Sequence, residues 1–120
     1  MTIQEFATLT GLTVHTLRYY EQIGLLGPVP RTAAGHRHYG RLELDWVNFI
    51  KRLKATEMPL RDILRYAELR QQGEGTLLER QALLSEHAER LAQRLHEQQG
   101  HLTALQEKIS FYQQRLTNTP

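Results

Sequence analysis

Residues 2–26, "TIQEFATLTGLTVHTLRYYEQIGLL", carry two short helical patterns broken by a single glycine, and that punctuation decides the fold. Thr2 and Glu5 stand in the Thr-x-x-Glu arrangement that satisfies the first free amides of a helix reciprocally. A first helix is therefore expected over residues 2–9, with Ile3, Phe6, Ala7 and Leu9 as its apolar face. Thr10, Gly11 and Leu12 interrupt it with the residue best suited to positive φ. Thr13 can cap a second helix, "VHTLRYYEQI", which Gly24 ends. Two short helices about a three-residue, glycine-containing turn are the pattern of a helix-turn-helix.

On the second helix His15, Arg18, Tyr19 and Gln22 share one face, while Val14, Leu17 and Ile23 point the other way and Tyr20 stands half-buried between them. On a helix that enters a major groove, Arg18 grips a phosphate or pairs with guanine edges, and His15 and Thr16 come early enough to approach bases. A merely solvated face would carry the same residue types, so the choice depends on the surroundings.

After Leu26, Gly27, Pro28 and Pro30 forbid helix. "RTAAGHRHY", residues 31–39, then sets Gly35 between two extended segments, and a two-stranded hairpin, a wing, is expected there. Arg31, His36, Arg37 and His38 surround its turn and suit a phosphate backbone. His36 and His38 would face the same way on a strand, but no acid or thiol lies near them in sequence, so no metal site is expected. Helical periodicity resumes in "LELDWVNFIKRLKAT", residues 42–56, with Leu42, Trp46, Phe49, Ile50 and Leu53 on one face. Pro59 stops that helix and caps or begins a fourth, with Leu60, Ile63, Leu64 and Ala67 inward.

"QQGEGT", residues 71–76, reads as a hinge, since Gly73 and Gly75 stand among polar residues and Thr76 can cap a further helix. The expected division is a head over residues 1–72, a hinge over 73–76 and a long helix over 77–120. Along that helix Leu84, Ala88, Leu91, Leu95, Leu102, Leu105, Ile109, Tyr112 and Leu116 recur in alternating steps of four and three once Gln98 fills its slot. That is a heptad seam. At 1.5 Å per residue the helix would be roughly 60 Å long, more than so small a head can cover, so a coiled coil with a second copy is expected. Gln98 weakens the seam while fixing register, and Gly100, off the seam, costs about 0.5–1 kcal/mol relative to Ala. His87, His96 and His101 are expected at the surface, His87 flanking the seam.

Length and composition agree. The chain has 120 residues, 40% hydrophobic and 23% charged, enough for one domain with an appended element. It has no cysteine, which removes disulfides and thiolate metal sites. No apolar run approaches the ~20 residues of a membrane span, and residues 1–12 lack a signal-peptide pattern, so a cytoplasmic protein with no membrane partner is expected. Net charge is only +2, yet residues 18–54 hold seven basic side chains against three acidic ones, a local excess that suits a polyanion. There is no phosphate loop and no nucleophile elbow, so neither an enzyme nor a bound cofactor is expected.

The order of helix-turn-helix, "LRYYEQIGLL", "RTAAGHRHY", two more helices and a long final helix resembles the MerR family of bacterial transcription regulators, over nearly the whole chain. The resemblance implies a mainly α fold: a winged helix-turn-helix followed by a dimerisation helix that pairs as an antiparallel coiled coil. It implies a homodimer on palindromic double-stranded promoter DNA that distorts the promoter spacer so that RNA polymerase can engage. It places DNA contacts on Thr13, His15, Thr16, Arg18, Tyr19 and Tyr20, on Arg31, His36 and Arg37 of the wing, and on Lys54. "RLKATEMPL" and the segment after it most resemble the aldehyde- and stress-responsive branch, whose sensor cysteine corresponds to Arg52 here. Glu57 stands where that branch commonly has glycine. An effector is unidentified; a pocket near Trp46, Tyr66 and Tyr112 is the expected place for one. The competing reading is a coiled-coil interaction module whose basic head has no specific DNA target.

Overall fold

The computed structural model describes residues 1–119 and is mainly helical, as expected; the final residue assigned to the long helix, 120, lies outside the described residues. In chain order the elements are α1 (Ile3–Thr10), α2 (Val14–Gln22), α3 (Arg41–Ala55), α4 (Leu60–Gln72), a 3₁₀ turn (Glu74–Thr76) and α5 (Leu77–Thr117). Two compact units divide the chain, Met1–Leu83 and the part of α5 from Leu84 onward. The first unit thus runs past residue 72 and includes the start of α5.

Thr2 caps α1 by accepting from the Glu5 amide at 3.2 Å, and Gly11 ends it in the left-handed region at φ 74°. Thr13 caps α2 in the same way from the Thr16 amide at 3.0 Å. At the far end of α2, Gly24 has φ 83°, the Leu25 amide reaches back to the Tyr20 carbonyl at 2.8 Å, and the Gly24 amide reaches Glu21 at 3.2 Å. That paired closure is what a glycine just past a helix permits. The chain therefore turns abruptly, and Leu25 and Leu26 drop into the core.

The core of this unit is Phe6, Leu17, Leu25, Tyr39, Val47, Ile50 and Ile63, with α1 packed on α2 and α3, and α3 on α4. The buried Trp46 indole N–H donates to the Leu25 carbonyl at 2.8 Å and ties the loop after α2 to α3. Several inward assignments need correction. Leu9 is 57% exposed and Thr10 takes its place, its hydroxyl satisfied by the Phe6 carbonyl at 2.9 Å. On α3 Leu42 points out and Val47 is buried; on α4 Leu60 points out and Leu69 is buried. The rest of each expected arc holds, with Phe6 and Ala7, Trp46, Ile50 and Leu53, and Ile63 and Ala67 buried; which flanking residue is covered depends on the neighbouring helices and not on hydrophobicity alone.

The wing is also corrected. It is not a two-stranded hairpin: among the described residues it holds one antiparallel bridge, Arg31 to Arg37. The Thr32 amide donates to His36 at 2.7 Å, the Gly35 amide to Thr32 at 2.9 Å, and Gly35 closes the turn at φ 84°. Pro28 and Pro30 supply no amide to one arm, so no ladder can extend. The hinge over residues 73–76 is a bonded corner. The buried Thr76 hydroxyl lies 2.6 Å from the Leu69 carbonyl and 2.8 Å from that of Gly73, and Arg80 donates to the Thr76 hydroxyl at 3.1 Å and to Gly73 at 3.0 Å.

Candidate nucleic-acid interface

The caps that start α2 leave its outward face free of the core. His15, Arg18, Tyr19 and Gln22 are all exposed along it, as the periodicity predicts. Thr13 and Thr16 are committed to the helix start, since the Thr13 hydroxyl accepts from the Thr16 amide and donates to its hydroxyl at 2.9 Å. Tyr20 is only 3% exposed, and its ring belongs to the core. Its hydroxyl nevertheless accepts from the Lys54 ammonium at 3.1 Å, with that cation 5.2 Å from the ring centre. Two residues assigned separately are thus one polar pair linking α2 to α3.

The wing brings its charges to the same side. Arg31 donates to the Gly35 carbonyl at 2.9 Å and braces the turn. Arg37 reaches back to α2, its Nε 2.6 Å from a carboxylate oxygen of Glu21. Between the start of α1, α2 and the wing lies an open cleft of about 700 Å³, lined by Ile3, Gln4, Arg18, Glu21, Arg31, His36 and Arg37 among others. Three guanidiniums against one carboxylate, next to a helix start, make this concavity attractive to anions.

The sequence of residues 1–69 matches the model of the MerR HTH family of regulatory proteins, more than half of the chain. This protein belongs to the MerR family. It is 34% identical over 112 residues to a helix-turn-helix-type transcriptional regulator of Haemophilus influenzae, covering 93% of this chain and 83% of that one. Among solved structures, a Listeria monocytogenes protein described as a MerR family transcriptional regulator has a TM-score of 0.89 at 32% identity, over 98% of this chain and 89% of its own. HiNmlR, described as a MerR family regulator lacking the sensor domain and bound to promoter DNA, has a TM-score of 0.82 at 32% identity, over 98% and 93%.

Sequence reasoning misses three residues of this MerR-family site. Glu21 stands three residues after Arg18 and so shares its side of α2, but its partner in the wing cannot be read from spacing. Tyr39 reads in the sequence only as the end of the wing. Its ring stacks on Phe6 at 4.6 Å, and its buried hydroxyl has no hydrogen-bond partner among the described residues. Burial, and then the Glu21 carboxylate, raise its pKa above the ordinary value, while Arg37, Arg18 and Arg31 pull it down. The same charges that line the cleft therefore act on this phenol. Lys51 is the third; its ammonium donates to the Thr10 carbonyl at the end of α1, where a cation suits the exposed carbonyls. Trp46 and Tyr66, two of the residues expected around an effector, stack on each other at 5.7 Å with Arg70 over the indole at 4.6 Å.

Proposed function

We propose that this regulator acts by binding, not catalysis, as a homodimer on promoter duplex DNA inside the cell. Residues 1–72 form the DNA-binding head, 73–76 the joint and α5, Leu77–Thr117, the dimerisation helix. The observation that carries the reading is the shared direction of the exposed α2 face and the wing guanidiniums around one cleft. His15, Arg18 and Tyr19 then meet base edges and backbone in the major groove, with Arg31, His36 and Arg37 on the adjoining backbone. Thr13 and Thr16 contribute mainly by fixing the start of α2. Tyr20 and Lys54 act together, Lys54 meeting a phosphate while it holds the Tyr20 hydroxyl. That HiNmlR is bound to promoter DNA, at 32% identity, supports this. Distortion of the promoter spacer to engage RNA polymerase, and control by an effector, follow from the resemblance to the family.

Arg18→Ala tests the recognition helix. Its side chain is exposed, so fold and dimer are expected to persist while affinity for a footprinted promoter fragment falls about tenfold to a hundredfold, the value of one good bidentate contact. Wild-type affinity in this variant would refute the assignment.

A further inference from the structure

We propose that Glu21 is a positioning residue for DNA binding: its carboxylate holds Arg37, and through it the wing, against the end of α2, so that Arg18, Arg31 and Arg37 face one backbone phosphate together. This rests on the DNA-binding reading above. The base of the wing is pinned where Met1 and Tyr39 exchange bonds at 2.8 and 3.0 Å, but toward the tip one bridge and a tight turn are far less than a stable sheet needs. The side-chain tie from wing to recognition helix is the 2.6 Å bond from Arg37 Nε to Glu21. A guanidinium has five N–H donors in a planar fork. A carboxylate at Nε leaves the edge formed by the two terminal nitrogens to face a phosphate bidentately.

Glu21 would otherwise be a liability. It is the acid among the residues lining the cleft, and a carboxylate beside a polyanion weakens binding by simple repulsion. Its side chain is about a quarter exposed and Arg37 is 40% exposed, so the pair is neither sealed in the core nor fully screened by solvent. The two roles open to Glu21 give opposite signs. As a mere repulsive charge, its removal tightens DNA binding; as the holder of Arg37, its removal loosens it.

The full-length chain and its Glu21→Gln, Arg37→Gln and double variants are titrated against two probes, a duplex selected from a random-sequence pool by the wild type and an unselected random-sequence duplex. Glu21→Gln is expected to weaken binding to the selected duplex on the order of tenfold. The plot of log affinity against log salt becomes shallower by about 0.9 for each phosphate that is no longer neutralised. In the Arg37→Gln background the same change has no further effect. Unchanged or tighter binding by Glu21→Gln, or an equal loss in both backgrounds, overturns the proposal. Should Glu21→Gln not fold, Arg37→Lys keeps the charge but not the fork and is expected to show the same loss; full affinity there overturns it equally. If the wild type binds neither probe, the DNA-binding reading falls and this inference with it. If the wild type binds and the variants behave like it, only this inference falls.

Discussion

Tyr39 carries a whole phenol into the interior, and its hydroxyl finds no partner there among the described residues. An unsatisfied buried polar group costs roughly 1–3 kcal/mol, while the ring keeps its stacking on Phe6 without the oxygen. Tyr39→Phe is therefore expected to stabilise the head by about 1 kcal/mol, a rise of a few degrees in Tm; a lower Tm would mean the hydroxyl is bonded. The pH dependence sharpens the test. Burial first and Glu21 second hold this pKa above its ordinary 10.0 in the folded chain. The contribution of the neutral phenol is complete below pH 10 and is lost as pH climbs from there through the folded value. The phenylalanine variant has no such loss, so its advantage over the wild type widens above pH 10. Tyr20 shows the other solution at the same scale: its ring is equally buried, but its hydroxyl meets Lys54.

Each helix ends on a backbone device, and α3 ends on an unfavourable residue. The Met58 amide returns to Leu53 and the Glu57 amide to Lys54, both at 3.0 Å, which forces Glu57 to φ 64°. A residue with a Cβ held in that region loses roughly 1–2 kcal/mol. Glu57→Gly is expected to recover about 0.5–1 kcal/mol after its greater unfolded-state entropy, measured by thermal unfolding; a lower Tm would show that the side-chain interactions of Glu57 outweigh the strain. The oddity of Glu57 is visible from the family resemblance, though its geometric cause is not. Caps and stops are legible because Thr2, Thr13, Gly11, Gly24 and Pro59 act within a turn of their own positions. The exposed face of α2 is legible for the same reason. What stays hidden depends on distant partners: Leu9 against Thr10, the bridge-only wing, and Glu21 meeting Arg37 sixteen positions away. His87 belongs here too. It is expected at the surface and is 6% exposed, a burial that helical spacing along α5 does not reveal.

At the scale of the whole molecule the question is what covers the seam of α5. In the single chain Leu95, Leu102, Leu105, Ile109, Tyr112 and Leu116 are all exposed, at heptad positions along one uninterrupted helix. A row of large apolar side chains left in water at that spacing is the signature of a helix made for a partner helix. A long helix with few neighbours gains most of its stability from such packing. A second copy of the chain supplies a matching row, and a dimer would present two α2 faces to two half-sites. Leu95 lies within that row and is 62% exposed in the single chain. Burying one leucine is worth roughly 1.5–3 kcal/mol, and a homodimer buries it twice. Leu95→Glu removes both burials and sets two carboxylates against an apolar seam, so the dimer dissociation constant is expected to rise at least a hundredfold, an equilibrium shift of about 3 kcal/mol. Sedimentation equilibrium should then find monomers at micromolar concentration. The head keeps its fold, because its buried apolar core runs from Phe6 to Leu69 and Leu95 takes no part in it. If the dimer spans two half-sites as proposed, DNA affinity is expected to fall with it, since each monomer would grip only one. A Leu95→Glu protein that sediments as a dimer would place the interface elsewhere on the helix.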